Sequence, residues 1–438
     1  MTRRHGYALL AALAAVVVLI SAAIYVGVSG GDSAKDELRA GPHTPQGSAD
    51  PASAGRWVGT WSTSPAAAEP RTEQGFAGRS IRNVVHTSVG GTSARITLSN
   101  LFGHQPLTLT HVSLAVASAP SNPAAAGGTV RRLTFGGNHS VVIPPGRQIV
   151  SDPVRLRIPH DADLLVTTFS PTPSGPVTYH PHARQTSFVA QGDHVEDPLG
   201  DAYTEQSPYW RYLAAVDVMT REAEGAVVVL GDSLTDGVTS TLGANSRWTD
   251  VLADRLREES GAPRYSVLNQ GISGNRILSD GLGRPAGNPS GLSRFDRDAL
   301  SRTGVKAVVI ALGVNDILRN PHQTDPDRIV AGLRELTRQA HARGLRVIGA
   351  TLMPFGGHRG YTPHLEDVRK QVNAQIRAGR VFDSVADFDR ALRDPYAPDR
   401  LRGVYDSGDH LHPSDAGYRK MADSFNLAQL KASAPAEL

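Results

Sequence analysis

The sequence predicts an α/β protein in which a parallel sheet with flanking helices follows a separate, β-rich domain. Two observations support this class. Between residues 56 and 220, short stretches alternate apolar and polar residues between Pro and Gly turns, and helical periodicity is scarce. After residue 220, short β-branched runs alternate with amphipathic stretches of helical period, which is typical of a parallel sheet covered on both faces.

The composition is that of an ordinary globular protein. Of the 438 residues, 40% are hydrophobic and 20% are charged, which is enough apolar material to bury a core. The formal net charge is only +3 and the basic residues are not clustered, so nothing indicates nucleic-acid binding. The absence of cysteine excludes disulfides, thiolate metal sites and a cysteine nucleophile.

The N-terminal segment, residues 1–31, predicts export. Arg3 and Arg4 precede an apolar stretch, the arrangement of a signal peptide. This stretch, 7–28, exceeds the ~7–15 residues of a usual signal core and is long enough to span a bilayer. The segment is therefore expected to be either a cleaved signal peptide or a signal anchor in contact with the membrane. Residues 32–55, rich in Pro, Ala, Ser and Gly, are predicted to be a disordered linker, and the protein is expected to be extracellular or at the cell surface.

Residues 56–220 are expected to form a β-sandwich or jelly-roll-like domain. The stretch 82–103 alternates apolar and polar residues around Gly90-Gly91, which predicts a hairpin. The stretches 140–159 and 161–171 continue the strand pattern between Pro and Gly turns. This half could bind glycans, but its aromatic residues are more typical of core packing; they are Trp57, Trp61 and Tyr179, the last near His180 and His182.

Residues 221–438 contain four predicted parallel strands, which are the apolar runs 225–232, 265–271, 305–313 and 345–354. Amphipathic helices are expected between them, at 247–260, 293–302 and 326–344. Ligands of such sheets bind beyond the carboxyl ends of the strands. The expected site therefore lies at the polar turns that end the first three strands, GDS, NQGISGN and GVND.

The first of these turns presents a serine directly after a buried strand. A serine here is most often a helix N-cap, and the second glycine of the G-x-S-x-G elbow is absent. As a nucleophile, Ser233 needs a base and an orienting acid. The best candidates lie in 405–418, where Asp409 and His412 flank a turn before a C-terminal helix, so that the carboxylate can hold the imidazole. His410, in the same loop, is expected to be a solvated residue.

The other two turns offer hydrogen-bond donors for a negatively charged tetrahedral intermediate. Gly271 lets its backbone N–H approach a ligand closely, and Asn315 carries a side-chain NH₂ group. Each residue alone is more typical of turn chemistry. Because both follow strands that neighbour the one ending at Ser233, together they predict an oxyanion hole.

The blocks GDSLTDG, NQGISGN, GVND and DHLHP, in this order and spacing, make residues 226–430 resemble the SGNH (GDSL-type) hydrolases. The resemblance implies a flavodoxin-like parallel sheet, the SGNH hydrolase fold, and a serine esterase that needs no cofactor or metal. It implies that Asp232 shapes the turn and that Asp316 is structural. It also implies Ser233 as nucleophile, His412 as base and Asp409 as orienting acid, with the N–H groups of Ser233 and Gly271 and the Asn315 amide as oxyanion donors.

The β-rich half and the extended blocks NQGISGNRIL and YDSGDHLHPSDAGY are similar to a two-domain secreted branch of this family, which includes esterases that deacetylate polysaccharides. The expected substrate is an ester, first an acetylated polysaccharide and alternatively a lipid or phospholipid. Substrate contacts are expected from two glycine-rich loops, 278–293 and 353–364.

Two other functions fit parts of the pattern. A metallophosphoesterase also carries its metal ligands in turns of this kind, and six residues would suffice: Asp232, Asp236, Asp316, Asp409, His410 and His412. However, no Asp-x-His pair precedes a strand where such an enzyme needs one. The second is a carbohydrate-binding or adhesion protein with an inactive hydrolase half, which the complete set of site residues argues against.

Overall fold

The structure is a computed structural model that describes residues 55–431. The predicted export segment, 1–31, and the predicted linker up to residue 54 lie outside these residues. In the described part of the chain, no helix has the length and hydropathy of a membrane span.

The β-rich half contains the strands β1 to β16. Their bounds are Arg56–Ser62 (β1), Ala67–Ala68 (β2), Arg79–His86 (β3), Gly91–Ser99 (β4), Leu107–Leu109 (β5), His111–Val116 (β6), Arg131–Arg132 (β7), Val141–Ile143 (β8), Gln148–Val150 (β9), Val154–Ile158 (β10), Asp163–Ser170 (β11), Thr178–His180 (β12), Ser187–Gln191 (β13), Glu205–Ser207 (β14), Trp210–Arg211 (β15) and Leu213–Thr220 (β16).

Two antiparallel sheets of this half pack against each other as a sandwich. One has the order β1-β16-β4-β10 with β9 beside β4, and the other has the order β14-β13-β3-β11-β6-β7. Side chains from both sheets share one apolar core, for example Ile96 of β4 and Val166 of β11. The strands β15-β12-β2 and the pair β5-β8 form smaller sheets. The predicted β-sandwich is therefore confirmed.

The hairpin predicted around Gly90-Gly91 is wrong. β3 pairs with β11 and β13, whereas β4 pairs with β9, β10 and β16, so the strands that flank this turn lie in different sheets. The connection is tied to another loop instead, because the N–H of Thr87 donates to the carbonyl of Ala162. Alternating apolar and polar residues fit a strand of either sheet in a sandwich, so the pattern does not identify a strand's partner.

The aromatic residues of this half pack against neighbouring side chains. Trp61 is buried, with its ring edge-to-face with that of Trp210 at 4.9 Å between centroids. The Arg95 guanidinium lies 4.7 Å from the centroid of Trp57. Core packing therefore accounts for Trp61.

The C-terminal half is built on a five-stranded parallel sheet of order β18-β17-β19-β20-β21. The strand bounds are Gly225–Gly231 (β17), Tyr265–Gly271 (β18), Val305–Ala311 (β19), Arg346–Ala350 (β20) and Ser384–Ala386 (β21). The four predicted strands are present, and β21 adds a short fifth that the sequence pattern did not indicate. In chain order the arrangement is 2-1-3-4-5, so the flavodoxin-like sheet is confirmed.

Helices cover both faces of this sheet. Their bounds are Ser233–Asp236 (α1), Trp248–Glu258 (α2), Gly291–Phe295 (α3), Val314–Leu318 (α4), Pro326–His341 (α5), Pro363–Arg377 (α6), Phe388–Leu392 (α7) and Asp415–Ser424 (α8), with a π-helical turn at Asp296–Leu300 and 3₁₀ turns at Gly403–Tyr405 and Leu427–Leu430. β17 is buried throughout. Val228 and Leu230 pack with α5 and α6 on one face, and Val227 and Val229 pack with α2 and α8 on the other.

The two halves are in direct contact. Val58 of β1 belongs to the same apolar core as β17 and β19. The N–H of Gly59 donates to the carbonyl of Thr303 at 3.0 Å, and a Cβ at Gly59 would lie 2.8 Å from the Leu268 side chain. This contact brings β12, on the β-rich side, close to the turn that follows β17.

Candidate active site

Ser233 lies in a tight turn at the carboxyl end of β17. Gly231 ends the strand, and a Cβ there would lie 2.1 Å from the hydroxyl of Thr235, so only glycine fits. Asp232 caps α1, since its Oδ1 accepts from the N–H of Leu234 at 3.0 Å. Ser233 is therefore the first residue of a single helical turn, with 6% of its surface exposed.

The loop before α8 brings His412 and Asp409 to this serine. His412 Nε2 lies 2.8 Å from Ser233 Oγ, and His412 Nδ1 lies 2.6 Å from Asp409 Oδ2. Asp409 Oδ1 accepts from the backbone N–H groups of Leu411 and His412, which fixes the carboxylate in its own turn. The three side chains thus form one hydrogen-bonded chain from carboxylate to hydroxyl.

The protonation of this chain follows from its partners. Partial burial tends to raise the pKa of Asp409, but hydrogen bonds from the His412 ring and from two backbone N–H groups outweigh it and lower the pKa. The ionised carboxylate can only accept, so Nδ1 of His412 carries a proton, and in the neutral ring Nε2 is the acceptor. Nε2 is therefore the basic atom that faces Ser233 Oγ.

Asn315 follows β19, which is next to β17 in the sheet. The two strands lie on either side of the point where strand order reverses, the usual place for a ligand in such sheets. The Asn315 Oδ1 accepts from Arg319 Nε at 3.1 Å. Its Nδ2 is buried and bonds to no group within residues 55–431. A buried amide N–H₂ without a partner is rare in proteins and is a donor available to a ligand.

The backbone N–H of Gly271, predicted as an oxyanion donor, is already engaged. It donates to Asn269 Oδ1 at 2.9 Å. A Cβ at Gly271 would lie 2.3 Å from the backbone nitrogen of Asp236, so glycine is needed here for the close approach of two turns. This corrects the expectation, because the N–H is not free to bind a ligand.

Gly274, in the same turn, is a donor that the sequence analysis missed. Its φ is +75°, and its N–H donates to no group in the described part of the chain. A Cβ at Gly274 would lie 2.5 Å from Arg319 Nη2, so this backbone lies against the side chain that contacts Asn315. The second glycine of NQGISGN was the available indication, since glycine readily takes positive φ.

Two buried carboxyl groups support these turns. Asp316 accepts from the backbone N–H groups of Ile277 and Leu278, at 2.8 and 3.1 Å, and thereby ties the turn after β18 to α4. Burial raises the pKa of Asp316 to about 6. Burial also raises the pKa of Asp232, to about 7, against the opposing hydrogen bond from Leu234.

Replacing Asp232 with Asn is expected to flatten the pH dependence of stability. In the unfolded chain the pKa of an Asp is about 3.9. Between about pH 4 and 7, the folded protein therefore keeps a proton on Asp232 that the unfolded chain loses. The contribution of this protonation to the free energy of unfolding is therefore full at acid pH and declines as the pH rises to 7. The free energy of unfolding should be measured with urea at pH 5 and at pH 8. Its decrease from pH 5 to pH 8 should be smaller for Asp232→Asn than for the native protein. Parallel losses in the two proteins would contradict the prediction.

Asp236, three residues after the serine, forms a buried hydrogen-bonded pair with the β-rich half. His180 of β12 places Nε2 at 2.9 Å from Asp236 Oδ1 and Nδ1 at 2.9 Å from the carbonyl of Ser64. Both side chains are buried, at 2% and 3% exposure. Burial tends to raise the pKa of Asp236, but His180 and the hydrogen bond from Ser273 lower it overall. Sequence reasoning assigned His180 to the surroundings of a core tyrosine and did not connect it with the site.

A buried arginine forms a second link between the halves. Arg294 Nη2 donates to the carbonyl of Gly231, just before the serine turn, at 2.8 Å. Its Nη1 donates to the carbonyl of Gln270 and to Ser64 Oγ, at 2.8 and 2.9 Å. Its Nε donates to Asn275 Oδ1 at 3.0 Å. One side chain therefore holds the ends of β17 and β18 and a serine of the β-rich half.

The six residues that could serve a metallophosphoesterase are engaged in pairs and caps, with Asp409 and His412 bonded to each other. His410 pairs with Asp406, with Nδ1 at 2.6 Å from Oδ2, rather than with its neighbours in the candidate site. The other five make the contacts given above. Across residues 55–431, no three His, Asp or Glu side chains are grouped as metal ligands. These residues form pairs and caps.

The loop 353–364 borders the triad. A Cβ at Gly357 would lie 3.0 Å from the His410 ring, and the half-buried His358 interacts electrostatically with His412. The other glycine-rich loop, 278–293, meets the β-rich half, where the N–H of Asn288 donates to the carbonyl of Ala66 at 2.6 Å. Substrate contact by either loop stays a prediction.

The chain resembles known proteins over its C-terminal half. Residues 229–420 match the GDSL-like lipase/acylhydrolase family. No curated protein matches the chain. Among solved structures, it is similar to a GDSL-like lipase from Bacteroides thetaiotaomicron, with 20% identity and a TM-score of 0.34 over 47% of this chain and 88% of that one. It is also similar to an acetylxylan esterase from Geobacillus stearothermophilus, with 22% identity and a TM-score of 0.36 over 48% and 96%.

Structural similarity at this level carries no information about the substrate. The family match, in contrast, spans the nucleophile turn, the Asn315 turn and the loop of Asp409 and His412. It agrees with the family resemblance drawn from the four blocks. Residues 229–420 therefore belong to the GDSL-like lipase/acylhydrolase family, and the protein is a carboxylic-ester hydrolase.

Proposed function

We propose that the protein hydrolyses esters through an acyl-enzyme formed on Ser233. The observation that carries this proposal is the hydrogen-bonded chain from Asp409 through His412 to Ser233 Oγ, with both distances between 2.6 and 2.8 Å. A serine becomes a nucleophile when a base takes its proton and a third group orients that base. The geometry offers a candidate for each of the three parts, and an ionised Asp409 favours the tautomer with the proton on Nδ1 of His412.

The reaction proceeds in two halves. Ser233 Oγ attacks the ester carbonyl while His412 Nε2 takes its proton, and His412 then donates that proton to the departing alcohol. Water attacks the resulting acyl-enzyme, with His412 taking the water proton and returning it to Oγ as the acid leaves. Asp409 stays ionised and stabilises the imidazolium in both halves.

The negative charge of each tetrahedral intermediate falls on the former carbonyl oxygen. Three donors are proposed to bind it: the N–H of Ser233, the N–H of Gly274 and Nδ2 of Asn315. Neither backbone N–H donates to a group in the described chain, and Nδ2 is the buried, unpartnered amide. Gly274 takes the place first predicted for Gly271, whose N–H is engaged by Asn269.

Replacing Asn315 with Ala is expected to lower kcat by roughly 10²–10³-fold, the scale for loss of one oxyanion donor. KM should change little, because the donor acts mainly on the charge that develops in the transition state. Steady-state hydrolysis of p-nitrophenyl acetate measures both constants. A kcat within a few fold of the native value would remove Asn315 from the oxyanion hole.

The proposed substrate is a short acyl ester, such as acetyl, on a polysaccharide. The first support is the similarity of the extended sequence blocks to the polysaccharide-deacetylating branch. The second is the polar surroundings of the triad: His182 of the β-rich half is exposed, His358 is half-buried, and both interact electrostatically with His412. Polar side chains around the nucleophile suit a hydrophilic alcohol better than an aliphatic chain.

A substrate panel tests this choice. p-Nitrophenyl esters from C2 to C16, acetylated xylan and phospholipid vesicles should be compared at equal enzyme concentration. The proposal expects kcat/KM to fall as the acyl chain lengthens and acetate to be released from xylan. Preference for long chains with release of fatty acid from vesicles would favour the lipid alternative.

We also propose that this chemistry takes place outside the cytoplasm. The support is the sequence of residues 1–31, with Arg3 and Arg4 before an uncharged apolar stretch. Residues 56 onward should then be extracellular or at the cell surface. Immunodetection in the medium, and protease treatment of intact cells, test this location. A chain found only in the cytosol and protected from protease would contradict it.

A further inference from the structure

The Asn315 amide is held in one of its two possible orientations by a neighbouring arginine. Arg319 Nε lies 3.1 Å from Asn315 Oδ1, one helical turn further along the chain. A guanidinium has only donors, so the atom that faces it must be the amide oxygen. The NH₂ group therefore points to the other side, where it is buried and without a partner within residues 55–431.

The guanidinium has a defined place between two turns of the site. A Cβ at Gly274 would lie 2.5 Å from Arg319 Nη2, so the bare backbone of Gly274 makes room for the guanidinium. In the described part of the chain no carboxylate pairs with Arg319, although the residue is exposed. Within residues 55–431, the one hydrogen bond from its side chain goes to Asn315. The contact is thus directed at the amide rather than at an acid.

The opposite amide orientation would be harmful to ester hydrolysis. With the amide reversed, Oδ1 would face the position of the developing oxyanion, and two partial negative charges would meet there. The backbone N–H groups of Ser233 and Gly274, which are proposed to bind the substrate oxygen, would attract Oδ1 instead. Without the Arg319 donor to hold Oδ1, this unproductive orientation of the Asn315 amide would be populated.

We propose that Arg319 is a positioning residue that fixes the Asn315 amide with its NH₂ group toward the oxyanion. The inference rests on the proposed function, in which Asn315 is an oxyanion donor. Arg319 itself need not touch the substrate. Its effect passes entirely through Asn315, and this dependence separates it from a residue that binds substrate by charge.

A double-mutant cycle tests the proposal. Arg319→Met removes the donor but keeps the length of the side chain, and it is expected to lower kcat about 10–100-fold, a fraction of the Asn315→Ala effect, with little change in KM. Arg319→Lys, which still carries a donor, should recover part of the loss. In the Asn315→Ala background, Arg319→Met should cause no further loss, because no amide remains to be oriented.

Arg276→Met is a matched control. Arg276 lies two residues from Gly274 and donates to the carbonyl of Asn320, so its replacement removes a nearby positive charge but not the contact with the amide. Its kcat is expected to stay within about twofold of the native value, and circular dichroism should find all variants folded. Native kcat in Arg319→Met, or an equal further loss in the Asn315→Ala background, would overturn the proposal. Retained activity in Ser233→Ala would instead reject the serine mechanism, so the two failures are distinguishable.

Discussion

Replacing Ser233 with Ala is expected to lower kcat on the order of 10⁶-fold, the loss found when the serine of a Ser–His–Asp hydrolase is removed. The hydroxyl 2.8 Å from His412 Nε2 is the atom that forms the acyl bond, and alanine leaves water as the remaining nucleophile. The variant should give no burst of p-nitrophenol and should not be labelled by a fluorophosphonate. Rapid-mixing kinetics and labelling at neutral pH measure both.

Ser240→Ala is the matched control for this experiment. Ser240 is a buried serine of the same segment, and its hydroxyl donates to the carbonyl of Gly237 at 2.7 Å. Its replacement should leave kcat within a few fold of the native value and leave labelling intact. Chelation by EDTA should also leave activity unchanged. Substantial turnover in Ser233→Ala, or EDTA inactivation reversed by a divalent ion, would decide for metal-dependent hydrolysis.

The replacement His180→Leu is expected to lower the free energy of unfolding by about 3–5 kcal/mol, the range for leaving a buried carboxylate without its partner. His180 and Asp236 are both almost fully buried, so the Asp236 carboxyl group would remain buried without this partner. Urea unfolding at pH 7, followed by tryptophan fluorescence, measures the change. The lower stability should also reduce activity at elevated temperature. The effect should reach the active site because Asp236 is three residues from the nucleophile.

Two further variants separate the loss of the His180–Asp236 contact from general effects of the substitution. Adding Asp236→Asn to His180→Leu should recover part of the stability, because the neutral amide no longer leaves a buried charge. The replacement His160→Leu removes an exposed pair with Glu222, at 3.7 Å and more than half exposed on both sides, and should cost less than about 1 kcal/mol. Equal losses for His180→Leu and His160→Leu would refute this account.

The parts of the site that were predictable depend on short-range order in the chain. Asp409 and His412 are three residues apart and share one turn, and Ser233 follows a strand whose apolar run is unmistakable. Neighbouring parallel strands end at the same edge of the sheet. That rule is sufficient to place Asn315 at the same edge of the sheet as Ser233.

The parts that were not predictable depend on long-range pairing. His180 and Asp236 are 56 residues apart and in different halves, and nothing in either segment indicates the other. The alternating pattern predicts a hairpin at Gly90-Gly91, but the connection crosses between two sheets. The prediction failed because the same pattern fits a strand of either sheet. The choice between Gly271 and Gly274 depends on which N–H already has a partner, and only the fold decides that.

The buried contacts of Arg294 with Ser64, Gln270 and Gly231 have a consequence for how the protein tolerates change over evolutionary time. Positions before residue 220, in the sandwich, would not all tolerate substitution better than positions after it, in the parallel-sheet half. Ser64 and His180 should be as intolerant as positions near the nucleophile, although neither contacts a reacting atom. A catalytic half transferred to another scaffold would have to bring these two residues with it, so the two halves are expected to change together.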